Sequence, residues 1–107
     1  MSGDCDPENP ALDCGTAMHC VPQPAPPTTC EPAGAGGPYA LCVTRSECGD
    51  VYECVNDGLD ACCMKWCRLD GLGTGCNLSE TCTALGTPLF ADGAEYGVCW
   101  DGFPCVL

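Results

Sequence analysis

The sequence contains no isoleucine and few of the large side chains from which hydrophobic cores are built. Its aromatic residues are two tryptophans, three tyrosines and two phenylalanines, and alanine and cysteine inflate the hydrophobic share of 46%. A chain of 107 residues also buries only part of the surface that its unfolded form exposes. We therefore expect a small core, so something other than a core must hold the fold.

Basic residues are equally scarce. Arg45, Lys65 and Arg68 stand against fifteen Asp and Glu, which gives a formal net charge of −12. Binding to nucleic acids or to anionic membranes requires clustered Lys and Arg, so we expect neither partner. The acidic excess is typical of a solubilising surface, and a cation site or a basic partner is the alternative.

Long apolar runs are absent. No run reaches the 18 residues of a transmembrane helix, so we expect no membrane span. The N-terminal stretch MSGDCDPENP lacks the basic and apolar regions of a signal peptide. We therefore expect a mature form whose export signal is not present in this chain.

The residue patterns of several enzyme classes are missing as well. The chain has no C-x-C or C-x-x-C pair, which a thioredoxin-type redox site needs. His19 is the single histidine, so Ser–His or Cys–His machinery has almost no general base available. We expect a protein without catalytic activity and without a cofactor.

Cysteine is the residue that the sequence has in excess. Fourteen cysteines in a short chain are typical of a disulfide scaffold, and their even number allows seven bridges. Such use of cysteine indicates an oxidising compartment, so we expect a secreted or cell-surface protein. The predicted fold is small, disulfide-rich and loop-dominated, with short β-hairpins, at most one short helix and up to seven disulfides.

Twelve of the cysteines form three loosely similar units, in each of which five residues separate the middle pair. The units are Cys5, Cys14, Cys20 and Cys30; Cys42, Cys48, Cys54 and Cys62; and Cys67, Cys76, Cys82 and Cys99. Cys63 and Cys105 fall outside them, and we expect these two to pair with each other or to tie units together. The spacing after the middle pair varies most, as expected of surface loops.

The chain also divides by composition. The stretch VPQPAPPTTCEPAGAGGPY is rich in Pro, Gly and Ala and carries one cysteine, which is typical of an extended linker. We predict a small N-terminal disulfide module over residues 1–30, a linker over 31–38 and a C-terminal disulfide-rich module over 39–107.

Local patterns predict a few secondary-structure elements. YALCV, VYECV and YGVCW combine aromatic and β-branched residues around a cysteine, and we expect short strands there. Leu59, Cys62, Cys63 and Trp66 share helical spacing, which predicts one or two helical turns from Asp60 through Leu69. Trp66, Trp100 and Phe103 are expected to supply small cores against which disulfides pack, and an exposed sugar- or protein-binding patch is the alternative.

Metal binding is a further possibility for some of these residues. Cys62, Cys63, Cys67 and Cys76 are candidates for a four-thiolate zinc site, and His19 for a nitrogen ligand, although disulfides and an exposed histidine are favoured. For calcium, the weak candidates are Asp4, Asp6, Glu8, Asp57 and Asp60. No D-x-D-x-D-G loop is present, so solvated loop acids are the favoured interpretation.

The run from Cys48 to Cys76 has the spacing C-x₅-C-x₇-CC-x₃-C-x₈-C, which resembles the inhibitor cystine-knot framework of toxins and protease inhibitors. In that family the first cysteine pairs with the fourth, the second with the fifth and the third with the sixth. The resemblance thus implies the bridges Cys48–Cys63, Cys54–Cys67 and Cys62–Cys76. The doublet also suits colipase-like or whey-acidic-type domains, and the repeat of three units is a competing interpretation.

A broader resemblance covers most of the chain. The order CDPENPALDCGTAMHCVP, GGPYALCVTRSECGDVYECV, ACCMKWCRLDG, TCTALGTPL and YGVC is similar to cysteine-rich extracellular lipoproteins and secreted proteins of myxobacteria and their relatives. The resemblance implies an extracellular location and tandem cysteine units, and it does not indicate any particular activity.

Together these features predict an extracellular, disulfide-stabilised structural or interaction module that binds a protein or cell-surface partner, with self-association also possible. The alternatives are a secreted knottin-like inhibitor or toxin, and a secreted protein that binds calcium or zinc.

Overall fold

Short antiparallel strands, joined by turns and loops, make up most of the fold. The computed structural model describes residues 5–25, 28–56, 60–71, 75–91 and 93–102. The elements are α1 (Ala11–Cys14), β1 (Met18–Val21), β2 (Thr29–Pro32), a 3₁₀ helix (Arg45–Glu47), β3 (Tyr52–Asn56), β4 (Ala61–Arg68), β5 (Thr81–Thr83), β6 (Leu89–Ala91) and β7 (Ala94–Trp100). The predicted class, a small disulfide-rich fold of short hairpins, is confirmed.

The strands form two sheets. β1 and β2 pair with each other, and the larger sheet has the order β3-β4-β7-β5, with β6 also paired to β7. Every one of these pairings is antiparallel. The longest strands, β4 and β7, lie in the centre of the larger sheet, which places the best-buried part of the chain there.

β3 and β7 lie where VYECV and YGVCW predicted strands, but YALCV forms no named strand. Leu41 makes only an isolated bridge to Cys62, while the amide of Cys42 donates to Ala61 O. Further along β4, it is β7 that pairs with the strand, at Trp66, Cys67 and Arg68. The YALCV stretch therefore adds to the sheet without becoming a strand of its own.

The helical turns predicted over Asp60 through Leu69 are wrong, because this stretch contains strand β4. Along a strand, successive side chains point to opposite faces. Cys62 and Trp66 therefore face one side, while Cys63 and Cys67 face the other, and all four are fully or almost fully buried. Because both faces of β4 are buried, apolar residues occur on both, and the alternation of polar and apolar residues that marks a half-buried strand is absent. The helical spacing of Cys62, Cys63 and Trp66 is a coincidence.

The larger sheet has two different faces. One, here called the core face, carries the main hydrophobic cluster, which consists of Cys62, Met64, Trp66, Ala91, Ala94, Tyr96 and Val98. The other, here called the disulfide face, carries Cys54 and Cys63 from β3 and β4, and Cys99 from β7. The core is small, as the shortage of large apolar residues predicted, and bridges cover the opposite side.

The N-terminal part of the chain packs against the larger sheet. Gln23 and Phe90 exchange two backbone hydrogen bonds, and Gly34 N donates to Cys48 O at 2.8 Å. A Cβ at Gly34 would lie 2.5 Å from Ser46 O, so only glycine allows this approach to the 3₁₀ helix. The segment predicted as a linker thus contacts the C-terminal part.

Among the described residues, no helix has the length and apolar character required to cross a membrane.

Candidate functional site

Six disulfides join twelve of the described cysteines in a regular order. The bridges are Cys5–Cys20, Cys14–Cys30, Cys42–Cys54, Cys48–Cys63, Cys67–Cys82 and Cys76–Cys99. We call the three groups of four that they define unit one (Cys5, Cys14, Cys20, Cys30), unit two (Cys42, Cys48, Cys54, Cys63) and unit three (Cys67, Cys76, Cys82, Cys99). In each unit the first cysteine bonds to the third and the second bonds to the fourth.

The third and fourth cysteines of each unit also occupy the same place in the fold. They lie opposite each other on paired antiparallel strands, as Cys20↔Cys30, Cys54↔Cys63 and Cys82↔Cys99. Instead of bonding to each other, each bonds to an earlier cysteine of its unit. The two bridges of a unit therefore fasten the preceding loop to a strand pair at neighbouring points.

Unit two contains Cys63 and not Cys62, so the expected assignment of Cys62 to this unit and the expected Cys63–Cys105 bridge are both wrong. The reason is the strand: Cys63 lies opposite Cys54 on the disulfide face, whereas Cys62 points to the core face. Cys62 is itself disulfide-bonded. Cys105 lies outside the described residues.

The bridges implied by the cystine-knot resemblance are present in one case out of three. Cys48 bonds to Cys63 as implied, but Cys54 bonds to Cys42 and Cys67 bonds to Cys82. Cys76 bonds to Cys99, which excludes the implied Cys62–Cys76 bridge. Spacing alone did not show that the bridges extend beyond residues 48–76, because Cys42 reaches this part of the chain through its hydrogen bond to Ala61 and Cys99 through strand β7.

The cysteine sulfurs are close enough to suggest metal sites, but their chemistry is that of bridges. Among the described residues, the groups of three ligand atoms within 4.8 Å of one another consist of cysteines alone. The groups are Cys5, Cys14 and Cys30; Cys42, Cys48 and Cys54; and Cys67, Cys76 and Cys99. Each contains the sulfurs of one bridge and one sulfur of its neighbour, and none of the described cysteines is free.

The four-thiolate zinc site, which was the disfavoured alternative for these cysteines, is therefore excluded, and the favoured disulfide role is the one observed. Metal-bound cysteine is a thiolate, and each of the four candidates is disulfide-bonded instead. The candidate nitrogen ligand, His19, was expected to be exposed but is fully buried, and its Nε2 lies 2.9 Å from Arg45 O.

The acidic calcium candidates are in different surroundings. Asp6 Oδ1 accepts from Glu8 N at 2.9 Å and from the Tyr96 hydroxyl at 3.4 Å. Glu8 forms an ion pair with Lys65 at 3.6 Å. Asp60 is exposed just before β4, and Asp4 and Asp57 lie outside the described residues. Asp6 and Glu8 thus act in packing the N-terminal part against the sheet.

A polar cluster lies between the N-terminal part and β3, with Glu53 buried and Arg45 and Glu31 partly exposed. Arg45 Nε donates to Glu53 Oε2 at 2.5 Å and its Nη1 donates to Glu31 Oε1 at 3.0 Å. Burial raises the pKa of Glu53, and the hydrogen bond and charge of Arg45 oppose this without cancelling it. Burial lowers the pKa of Arg45, but Glu53 and Glu31 outweigh it and the net shift is upward. The cluster joins three segments of the chain.

All three basic residues are ion-paired. Arg45 pairs with Glu31 and Glu53, Lys65 with Glu8, and Arg68 with Asp70 at 2.7 Å. No basic side chain therefore remains to form a positively charged patch, and three basic residues against fifteen acidic ones leave a formal net charge of −12. The protein thus presents a surface dominated by negative charge.

A groove runs across the edge of the core face. Two adjoining cavities of about 260 and 320 Å³ form it, and they share Val55, Asn56 and Leu85. One cavity continues to Met64 and Trp100, and the other continues to the residues Arg45, Glu53, Trp66 and Leu89. The side chains along it are mostly apolar, with the Arg45–Glu53 pair at one end, as in many ligand sites.

Trp66 lines this groove and carries an unpaired donor. Only 1% of the residue is exposed, and its indole Nε1–H has no hydrogen-bond partner. A buried donor without a partner costs about 1–3 kcal/mol. Because the Nε1 atom itself is buried, an acceptor from outside the chain can reach it only if side chains that line the groove shift. The size of the groove, its mostly apolar lining and this unpaired donor together make it the strongest candidate binding site.

A smaller cleft of about 220 Å³ lies beside unit three. Tyr39, Tyr52, Lys65, Asn77 and Glu80 contribute to its lining. The Tyr39 hydroxyl donates to Glu80 Oε2 at 2.5 Å, and burial, reinforced by Glu80, raises the pKa of Tyr39 above its ordinary value. These two polar groups already satisfy each other, so the cleft offers a weaker argument for a ligand than the groove does.

The sequence analysis did not identify the groove, although one signal was present. The connection between the third and fourth cysteines spans sixteen residues in unit three, 83–98, against nine in unit one and eight in unit two. The long connection contains β6 and supplies Leu85 and Leu89. Insertions in one unit of a repeated pattern often build a binding face.

Comparisons with models of known protein families, with curated proteins and with solved structures find no match to this chain.

Proposed function

We propose that this protein is an extracellular or cell-surface interaction module that acts through a rigid, acidic, disulfide-fastened surface and has no catalytic activity. The observation that carries the proposal is the set of six regular bridges, with no free cysteine among the described residues. Disulfides at this density persist in oxidising compartments and replace the large core that the sequence cannot build.

Two further observations favour binding over catalysis. His19, the one histidine, is fully buried with Nε2 held by Arg45 O, and the described cysteines are consumed in bridges. His19 is thus unavailable as a general base, and the described cysteines are unavailable as nucleophiles. Rigid loops held by bridges, by contrast, lose little conformational entropy when a partner binds.

We also propose that the three units are tandem copies of one structural element. Their common features are the five-residue middle spacing, the first–third and second–fourth bonding, and the opposed third and fourth cysteines. In such arrays each unit buries little by itself and depends on its neighbours, while function resides in the loops that differ.

The test is production of the chain in an oxidising and in a reducing compartment, followed by intact mass measurement with alkylation before reduction. The proposal predicts that the oxidised product lacks about fourteen hydrogens relative to the reduced chain, resists alkylation and unfolds cooperatively. It predicts that the reduced product is fully alkylated and shows no cooperative unfolding. A folded product with alkylatable thiols, or with the added mass of a metal, would contradict it.

A further inference from the structure

The groove on the core face is built by the part of the chain that distinguishes unit three from the other units. Leu85 and Leu89 belong to the sixteen-residue connection, and they form one wall. Val55 of β3, with Met64 and Trp66 of β4, forms the other wall. In repeated elements, an insertion in one unit often lies on the binding face, and here the lengthened connection lines the groove.

The shape and the polarity of the groove limit the kind of ligand. Its two cavities adjoin and together enclose several hundred cubic ångströms, so an elongated ligand fits better than a compact one. The lining is mostly apolar, and the indole N–H of Trp66 is a buried donor that lacks an acceptor. A main-chain carbonyl of an extended peptide provides an acceptor between side chains that alternate in direction.

Charge limits the ligand further. Glu31 lies beside Arg45 at one end of the groove, and Asp101 follows Trp100 at the other. Arg45, the one basic residue of the lining, is already paired with two glutamates. With a formal net charge of −12, the protein attracts a basic segment and repels an acidic one.

We propose that the groove binds an extended segment of a partner protein in which apolar residues are accompanied by Lys or Arg. Side chains that line the groove shift on binding, so that the buried Trp66 Nε1–H donates to a main-chain carbonyl of this segment. The proposal rests on the proposed function as an interaction module and names the chemical class of the partner.

The test is selection of a phage-displayed library of random heptapeptides on the immobilised, fully oxidised protein. The enriched peptides should be apolar at alternating positions, contain Lys or Arg and be depleted in Asp and Glu. Titration of a synthetic enriched peptide into ¹⁵N-labelled protein should shift the indole N–H signal of Trp66. This second readout needs no variant and so does not depend on how a substitution folds.

Variants then locate the peptide. Trp66→Phe keeps a ring but removes the donor, and should weaken binding about two- to tenfold, the value of one neutral hydrogen bond. Leu85→Ala removes apolar wall and should weaken binding by a similar or larger factor. Leu78→Ala is the matched control, because Leu78 is fully exposed and is absent from the groove lining, and it should bind like the parent.

The proposal is overturned if no peptide is enriched, if the enriched peptides are acidic, or if the Trp66 indole signal does not move. It is also overturned if correctly bridged Trp66→Phe and Leu85→Ala bind as tightly as Leu78→Ala. If the protein has all its bridges, any of these results would contradict only the proposal that the groove binds a peptide. Free thiols detected by intact mass measurement would instead contradict the proposed function.

Discussion

Removal of one bridge from unit two tests how much of the stability is covalent. Cys48 and Cys63 are both fully buried and close a loop with a sequence separation of 15. Loss of such a crosslink from the unfolded chain costs about 3 kcal/mol. The remaining Cys42–Cys54 bridge adds a second path of the same length from Cys48 to Cys63, which shortens the effective loop only slightly and lowers the estimate by roughly 0.2 kcal/mol. The estimate therefore stands despite the neighbouring bridge.

The double variant Cys48→Ala/Cys63→Ala should accordingly lower the folded-to-unfolded ratio about a hundredfold, and the melting temperature by roughly 10–25 °C. Thermal unfolding followed by circular dichroism without reductant measures the change. The matched control, Val43→Ala/Leu78→Ala, alters two exposed side chains and should melt within a few degrees of the parent. A double cysteine variant that melts as the control does would refute the argument that bridges stand in for a core.

Two further predictions concern charge. Arg45→Met leaves Glu53 buried without its cation and should cost on the order of 3 kcal/mol at pH 7. Since the pKa of Glu53 is raised in the folded protein, the stability lost in Arg45→Met should shrink as the pH falls through that pKa. Denaturant unfolding at pH 7 and at low pH measures this change. The control, Arg68→Met, alters an exposed ion pair and should change the denaturant midpoint little at both pH values. Burial first, and nearby carboxylates second, raise the pKa of Tyr39 and of Tyr96, so their contribution to stability is lost as pH rises above the ordinary tyrosine range. In a rapid alkaline titration of phenolate absorbance, Tyr39→Phe and Tyr96→Phe should each remove a late-titrating component, and variants that leave the late part unchanged would contradict the burial of these hydroxyls.

The class of the fold was predictable from the sequence, because it follows from composition. A chain with fourteen cysteines and few large apolar residues is expected to be stabilised by disulfides rather than by a large core. The strands β3 and β7 were predictable too, because aromatic and β-branched residues mark them. The repeated five-residue spacing also pointed to the three units, and only the choice between Cys62 and Cys63 was wrong.

That choice and the helix error have the same physical cause. Disulfide-bonded cysteines are buried on both faces of β4, so the sequence of this strand shows no alternation of polar and apolar residues. Which of two adjacent cysteines faces Cys54 depends on strand register, and register is fixed by pairing that a linear pattern does not contain.

The candidate site was less predictable. Leu85, Leu89 and Trp66 line the groove together. Strand pairing, and not a local motif, brings these three residues close to one another. The burial of His19 likewise results from packing of β1 against the 3₁₀ helix. Only the length of the connection after Cys82 marked this region in advance.

Disulfide mapping tests the central claim most directly. The protein is digested without reduction by pepsin at low pH, where thiol exchange is suppressed, and the linked peptides are identified by mass spectrometry. The account predicts first–third and second–fourth links in all three units, with Cys42–Cys54 and Cys48–Cys63 in unit two. Peptides that link Cys54 to Cys67, or the opposed third and fourth cysteines to each other, would contradict it.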